Sequence, residues 1–102
     1  MPLKLFIASP HNTGKSTTAF ALADKLNAHL IFPKLSGSPV PRGIAGPFVI
    51  DDLSHQTIDL QRWVLHNLLY HDFYLFCNSS YLDTLYPPLK RFLENHYPEA
   101  FL

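Results

Sequence analysis

Residues 3–26 read LKLFIASPHNTGKSTTAFALADKL. An apolar run of strand length, Leu3 to Ala8, leads into a short polar loop. The loop ends in Gly14-Lys15-Ser16-Thr17, and a helical pattern follows at once. Ala19, Leu22, Ala23 and Leu26 recur at i, i+3, i+4 and i+7, one apolar face of a helix from about Lys15 to Asn27. Strand, tight polar loop and helix in this order open a parallel α/β sheet.

The loop also has a chemistry. Backbone N–H groups at a helix start lack intrahelical partners and attract anions, and the helix dipole adds partial positive charge there. Gly14 lets the backbone pass close to a phosphate without a Cβ in the way. Lys15 is placed to reach the outer phosphates of a nucleotide, and the Ser16 hydroxyl to ligate Mg²⁺. Ser9, Pro10, His11, Asn12, Thr13, Gly14, Lys15, Ser16 and Thr17 form the candidate phosphate cradle. The plainer alternative is an ordinary helix start with serine as its cap.

Downstream, His29 to Phe32 reads as a second strand, stopped by Pro33. Residues 33–47, PKLSGSPVPRGIAGP, read as an irregular loop because of their glycines and prolines. A loop of this length in a small domain points to function or mobility. Phe48 to Asp51 is a third strand, which Asp51-Asp52 ends, while the first, Leu3 to Ala8, reads as buried on both faces. Ser54 or Thr57 can cap a second helix whose apolar face is Leu60, Val64, Leu65, Leu68 and Leu69. Phe73 to Cys77 is a fourth strand. Ser80 and Asp83 form a capping pair for a last helical region, which Pro87-Pro88 must break or restart and Pro98 must end.

The order β-α-β-β-α-β-α predicts a small three-layer α/β domain spanning residues 1–102, with a four-stranded parallel sheet and helices on both faces. Right-handed crossovers, and the need to bring Asp51 beside Ser16, predict strand order 2-3-1-4. Ligands of such sheets bind beyond the carboxyl ends of the strands, where the Gly14 loop and Asp51 both fall.

Composition narrows the function classes. With 47% apolar and 14% aromatic residues, the 102-residue chain is too apolar to be disordered. Its formal net charge is zero, so no global basic field favours nucleic acid or anionic membrane. Zero charge also removes a barrier to self-association. The single Cys77 sits in an apolar run, reads as a buried thiol and forms no intrachain disulfide, which fits a reducing, cytoplasmic setting. No apolar run is long enough for a membrane span. The six histidines show no convincing zinc spacing.

SPHNTGKSTTAFALADKL and FVIDD together resemble the P-loop NTPase superfamily. Where that motif usually opens with glycine, this chain has Ser9. The resemblance implies a Walker A loop at residues 9–17 and a Walker B acid at Asp51, with Asp52 the second choice. Lys15, Asp51 and Asp52 are then the candidate catalytic residues, and Ser16 and Asp51 the candidate ligands of Mg²⁺. The implied cofactor is Mg²⁺ with ATP or GTP. Within the superfamily the opening looks like nucleoside and nucleotide kinases of the thymidylate-kinase type. Their Asp-Arg pair stands here as Asp51-Asp52, and their arginine-rich lid has no counterpart. GKSTTAFALA is also similar to plasmid-partition and MinD-like ATPases, whose early second lysine is Pro10 here.

These resemblances imply binding of a nucleoside triphosphate with weak or partner-dependent phosphoryl transfer or hydrolysis. A partition-type assembly ATPase acting as a homodimer is one alternative. A degenerate scaffold that binds a protein partner without catalysis is the other. Ser54 and His55 are further candidates to orient a nucleophile, Arg42 to touch a phosphate, and Asn78 to sense the outer phosphate or the base. Leu89, Phe92, Leu93, Phe101 and Leu102 offer apolar surface to cover a truncated sheet, within the chain or in a partner.

Overall fold

The computed structural model of the protein describes residues 3–10, 14–32 and 40–102. Four strands, β1 (Leu3–Ser9), β2 (His29–Ile31), β3 (Phe48–Ile50) and β4 (Phe73–Asn78), form one sheet. All its pairings are parallel. Three α-helices, α1 (Lys15–Leu26), α2 (Ile58–Asn67) and α3 (Pro87–His96), alternate with them. Short 3₁₀ turns at Leu53–His55, Ser79–Thr84 and Pro98–Phe101 complete the described elements. Residues 33–39 of the expected long loop lie outside the described residues.

The strand order is 1-4-3-2, which corrects the expected 2-3-1-4. β4, rather than β1, lies between its neighbours, and composition explains why. β4 reads FYLFCN, without a charge, and five of its six residues are buried. β1 carries exposed Lys4, while Leu5, Ile7 and Ala8 are only half-buried. A lysine inside a strand is a mark of a sheet edge.

The order also assigns the faces. The chain moves one way across the sheet from β1 to β2 and the other way from β3 to β4. Right-handed crossovers then put α1 and α2 on opposite faces. Ala19 and Ala23 of α1 accordingly pack with Val49 and Phe76. Leu60 and Val64 of α2, with Leu89 and Leu93 of α3, pack with Phe48, Ile50, Phe73 and Leu75.

Local sequence sets the helix ends. Asn27 takes a left-handed conformation after α1, and the Ala28 N–H bonds back to the Ala23 carbonyl. The Thr57 hydroxyl accepts the Leu60 N–H at 3.1 Å and caps α2. Pro87-Pro88 restarts the chain as α3, where a missing N–H costs nothing in the first turn. Leu68 ends buried, but Leu69 lies past the end of α2 and is 68% exposed, against expectation.

The C-terminal aromatics close the chain on itself. Phe101 stacks on Phe6 of β1 with ring centroids 6.0 Å apart, and Tyr97 meets the same ring edge-on at 5.8 Å. Cys77 is buried, and burial pushes its thiol above the ordinary value. Among the described residues, no helix is long and apolar enough to cross a membrane.

The close approach of α1 to the sheet rests on its alanines. Ala19→Leu should overpack this contact and lower the stability by about 1–3 kcal/mol. Urea unfolding of the variant checks this, and an unchanged midpoint would contradict the packing.

Candidate functional site

At the carboxyl ends of β1, β4 and β3 the sheet meets the start of α1. Gly14 is the N-cap of α1, with φ 80° and ψ 19°. A Cβ there would meet nothing within 4 Å, so the left-handed backbone, rather than crowding, calls for glycine. Among the described residues no side chain caps this helix, and its first turn holds no acid. Ser16 is therefore not the cap of an ordinary helix start. Its hydroxyl instead donates to Asp51 Oδ2 at 2.8 Å, across 35 residues of chain.

Lys15 is buried, at 9% exposure. Its Nζ donates to the carbonyl of Pro10 at 2.8 Å, so the lysine reaches back to the end of β1. Pro10 and Ser9 flank the loop's entry, Ser9 half-buried opposite Asn78 in the ladder. Thr17 is exposed on the first turn. His11, Asn12 and Thr13 lie outside the described residues.

Asp51 follows β3 directly and is 2% exposed. Its N–H donates to the Ile31 carbonyl at 2.9 Å. Its Oδ1 accepts the Asp52 N–H at 3.0 Å, while Oδ2 takes Ser16. Asp52 sits in the left-handed region at φ 48°, unusual for a residue with a side chain. Ser16 and Asp51 thus meet although β4 separates their strands. Two interstrand spacings are only about 10 Å, and α1 bridges them by packing on β4, β3 and β2 in turn.

The oxygens suit a hard cation. Two cis ligands of an octahedral Mg²⁺, each about 2.0–2.1 Å from the ion, lie about 2.9 Å apart. The Ser16 and Asp51 oxygens, 2.8 Å apart in an ordinary O–H···O hydrogen bond, are close enough to be held by one ion. Among the described residues, no group of three or more His, Cys, Asp or Glu comes together. A cation held here would draw its other ligands from phosphate and water, as Mg²⁺ commonly does.

The secondary candidates divide. Asn78 is buried at the end of β4, between the ends of β1 and β3, and its Oδ1 accepts the Ser80 N–H at 2.9 Å. It therefore caps the turn at Ser79–Thr84, the task first expected of Ser80 and Asp83. Asp83 instead pairs with Lys90 at 2.9 Å. Ser54 contacts His55 Nδ1 at 3.4 Å, and the His55 ring meets Tyr81 edge-on at 5.0 Å. Arg42 is exposed on the described part of its loop.

Two functional candidates escaped the sequence reading. Gln56 and Gln61 are 4% and 1% exposed. Gln56 Nε2 donates to the Asp51 carbonyl at 2.9 Å, and Gln61 Nε2 donates to the Gln56 carbonyl at 3.0 Å. Gln61 Oε1 accepts the N–H of Tyr86, the N-cap of α3, at 2.8 Å. Gln56 Oε1 is buried and accepts no hydrogen bond from any described residue. One buried bond contributes about 1 kcal/mol, whereas an orphaned buried acceptor costs about 1–3 kcal/mol, so the bond to Asp51 is made at a cost in the same side chain. The available signal was helical spacing: Gln61 sits beside Leu60 and three residues before Val64, on the inward side of α2.

An open cavity of about 240 Å³ lies elsewhere, lined by Ala45, Gly46, Pro47, Tyr70, His71 and Asp72. These residues precede β3 and β4, so the cavity is at the amino ends of the strands and contains none of the sequence-derived site residues. Its walls carry no buried polar side chain, since His71 is half-buried against Phe48 and Tyr70 and Asp72 are exposed. The chemistry concentrates at the opposite end. Compared with known proteins, the chain matches no protein-family model, and no curated protein sequence matches it.

Proposed function

We propose that the carboxyl end of the sheet binds a nucleoside triphosphate, ATP or GTP, together with Mg²⁺, in the manner of a P-loop NTPase. The observation that carries this reading is the Ser16–Asp51 hydrogen bond at 2.8 Å beside the start of α1 at the left-handed Gly14. The first-turn N–H groups and the Lys15 ammonium bind and orient the phosphates. Lys15 exchanges its hold on the Pro10 carbonyl for a phosphate oxygen. Asp51 cannot face a triphosphate alone, because like charges repel, so the carboxylate makes nucleotide binding depend on a cation. Ser16 and Asp51 would hold that Mg²⁺, which neutralises developing charge on the phosphates when bound.

Asp52 and Asn78 flank this arrangement. Asp52 is half-buried beside Asp51 and is the nearer group in sequence to accept a proton from an attacking water or hydroxyl. Asn78 ends the strand between Ser9 and Asp51, a place from which an outer phosphate could be sensed. Arg42, Arg62 and Arg91 are all exposed, and Lys15 is the buried cation beside the loop, which fits turnover that is weak or waits for a partner.

A second reading, an assembly ATPase acting as a homodimer, is favoured by the position of β1. This seven-residue strand lies at a sheet edge and is largely apolar apart from Lys4, and a long edge can template pairing with another chain. β2, at the other edge, is only three residues long. A protein-binding scaffold without nucleotide remains the outcome if the first test fails.

Calorimetric titration with Mg²⁺–ATP and Mg²⁺–GTP tests the first reading. Wild-type protein should bind one of them, Lys15→Ala should lose at least about tenfold in affinity, a loss of about 1.4 kcal/mol, and its fold should persist. Equal affinity in both proteins would sink the proposal. For the second reading, light scattering over a wide concentration range should give a dimer in the presence of Mg²⁺–ATP. A strict monomer under every condition would remove it.

A further inference from the structure

The two buried glutamines form a continuous connection. From the Asp51 carbonyl it runs through Gln56 Nε2 and the Gln56 carbonyl to Gln61 Nε2. From Gln61 Oε1 it reaches the Tyr86 N–H, where α3 begins. At its other end stands a turn that needs holding. Asp52 is in a left-handed conformation, and its N–H is tied to the carboxylate of the residue before it. Such conformations persist where surrounding contacts over-determine them.

Gln56 is an expensive way to hold that turn, since its own Oε1 is buried without a donor. A buried polar atom left unpaired calls for an explanation. The position of the bond supplies one. Gln56 grips the backbone of Asp51, the residue whose carboxylate receives Ser16. Outer-shell groups of this kind orient metal ligands and tune the affinity of the site.

We propose that Gln56 and Gln61 are positioning residues that aim the Asp51 carboxylate and couple it to the start of α3. The proposal rests on the reading of Ser16 and Asp51 as Mg²⁺ ligands. A shift of the Asp51 turn on cation binding then reaches Tyr86 through two amide groups. The coupling is reciprocal, so a partner that moves α3 changes the cation affinity of the site.

The test compares ATP affinity with Mg²⁺ and with EDTA in wild type and Gln56→Met, a variant of similar shape that lacks both amide atoms. Gln56→Met should keep the wild-type urea midpoint and the wild-type affinity for ATP in EDTA. Its affinity for Mg²⁺–ATP should fall about 10- to 100-fold. In the wild type, the Tyr86 amide resonance should move when Mg²⁺ is added to the ATP complex, a readout that needs no variant. If wild type gains affinity from Mg²⁺ and the variant gains as much, or if Tyr86 stays still, the inference is overturned while the nucleotide reading stands. If wild type gains nothing from Mg²⁺, the cation reading falls and the inference with it.

Discussion

Helix α1 reaches the end of β3 because it lies close on the sheet. Ala19 and Ala23 are the residues that allow this, meeting Val49 and Phe76 with no bulk between. Larger side chains there would lift the helix and draw its first turn away from the strands. With the helix seated, Ser16 stands 2.8 Å from a carboxylate that its own strand does not neighbour. The left-handed Gly14 supplies the sharp entry, and Lys15 folds back on Pro10. The Ser16–Asp51 contact at this end of the protein depends on that seating.

Around the contact, buried polar groups are arranged rather than scattered. Asp51 uses its N–H, its carbonyl and both carboxylate oxygens in hydrogen bonds. Those partners come from β2, α1, the following turn and Gln56, so four parts of the chain converge on one residue. Asn78 caps the turn after β4 from the middle of the same end. The far end of the sheet is different, with an open cavity whose polar lining is half-buried or exposed. The asymmetry follows the general rule that open α/β sheets bind ligands beyond the carboxyl ends of their strands.

Much of this was legible in the residues. The periodicity of residues 15–26 located α1, the apolar runs located all four strands, and Thr57 marked the start of α2. The meeting of Ser16 and Asp51 also followed from reading both at carboxyl ends. The strand order did not, because placing β1 beside β3 is one way to join those residues and a helix crossing β4 is another. Lys4 within β1 was the available sign of an edge. Leu69 was misplaced because α2 ends before it, a boundary that spacing alone does not set. Gln56 and Gln61 were missed since an isolated glutamine reads as surface until tertiary packing encloses it.

The claim that phosphates and a cation meet at the carboxyl end of the sheet is tested most directly by amide NMR with Mg²⁺–ATP titrated into ¹⁵N-labelled protein. The resonances of Gly14 to Thr17, Asp51, Asp52 and Asn78 are expected to shift together and saturate along one binding curve. Shifts confined to Ala45, Gly46, Tyr70, His71 and Asp72 at the opposite end, or no saturable shifts at all, would contradict it.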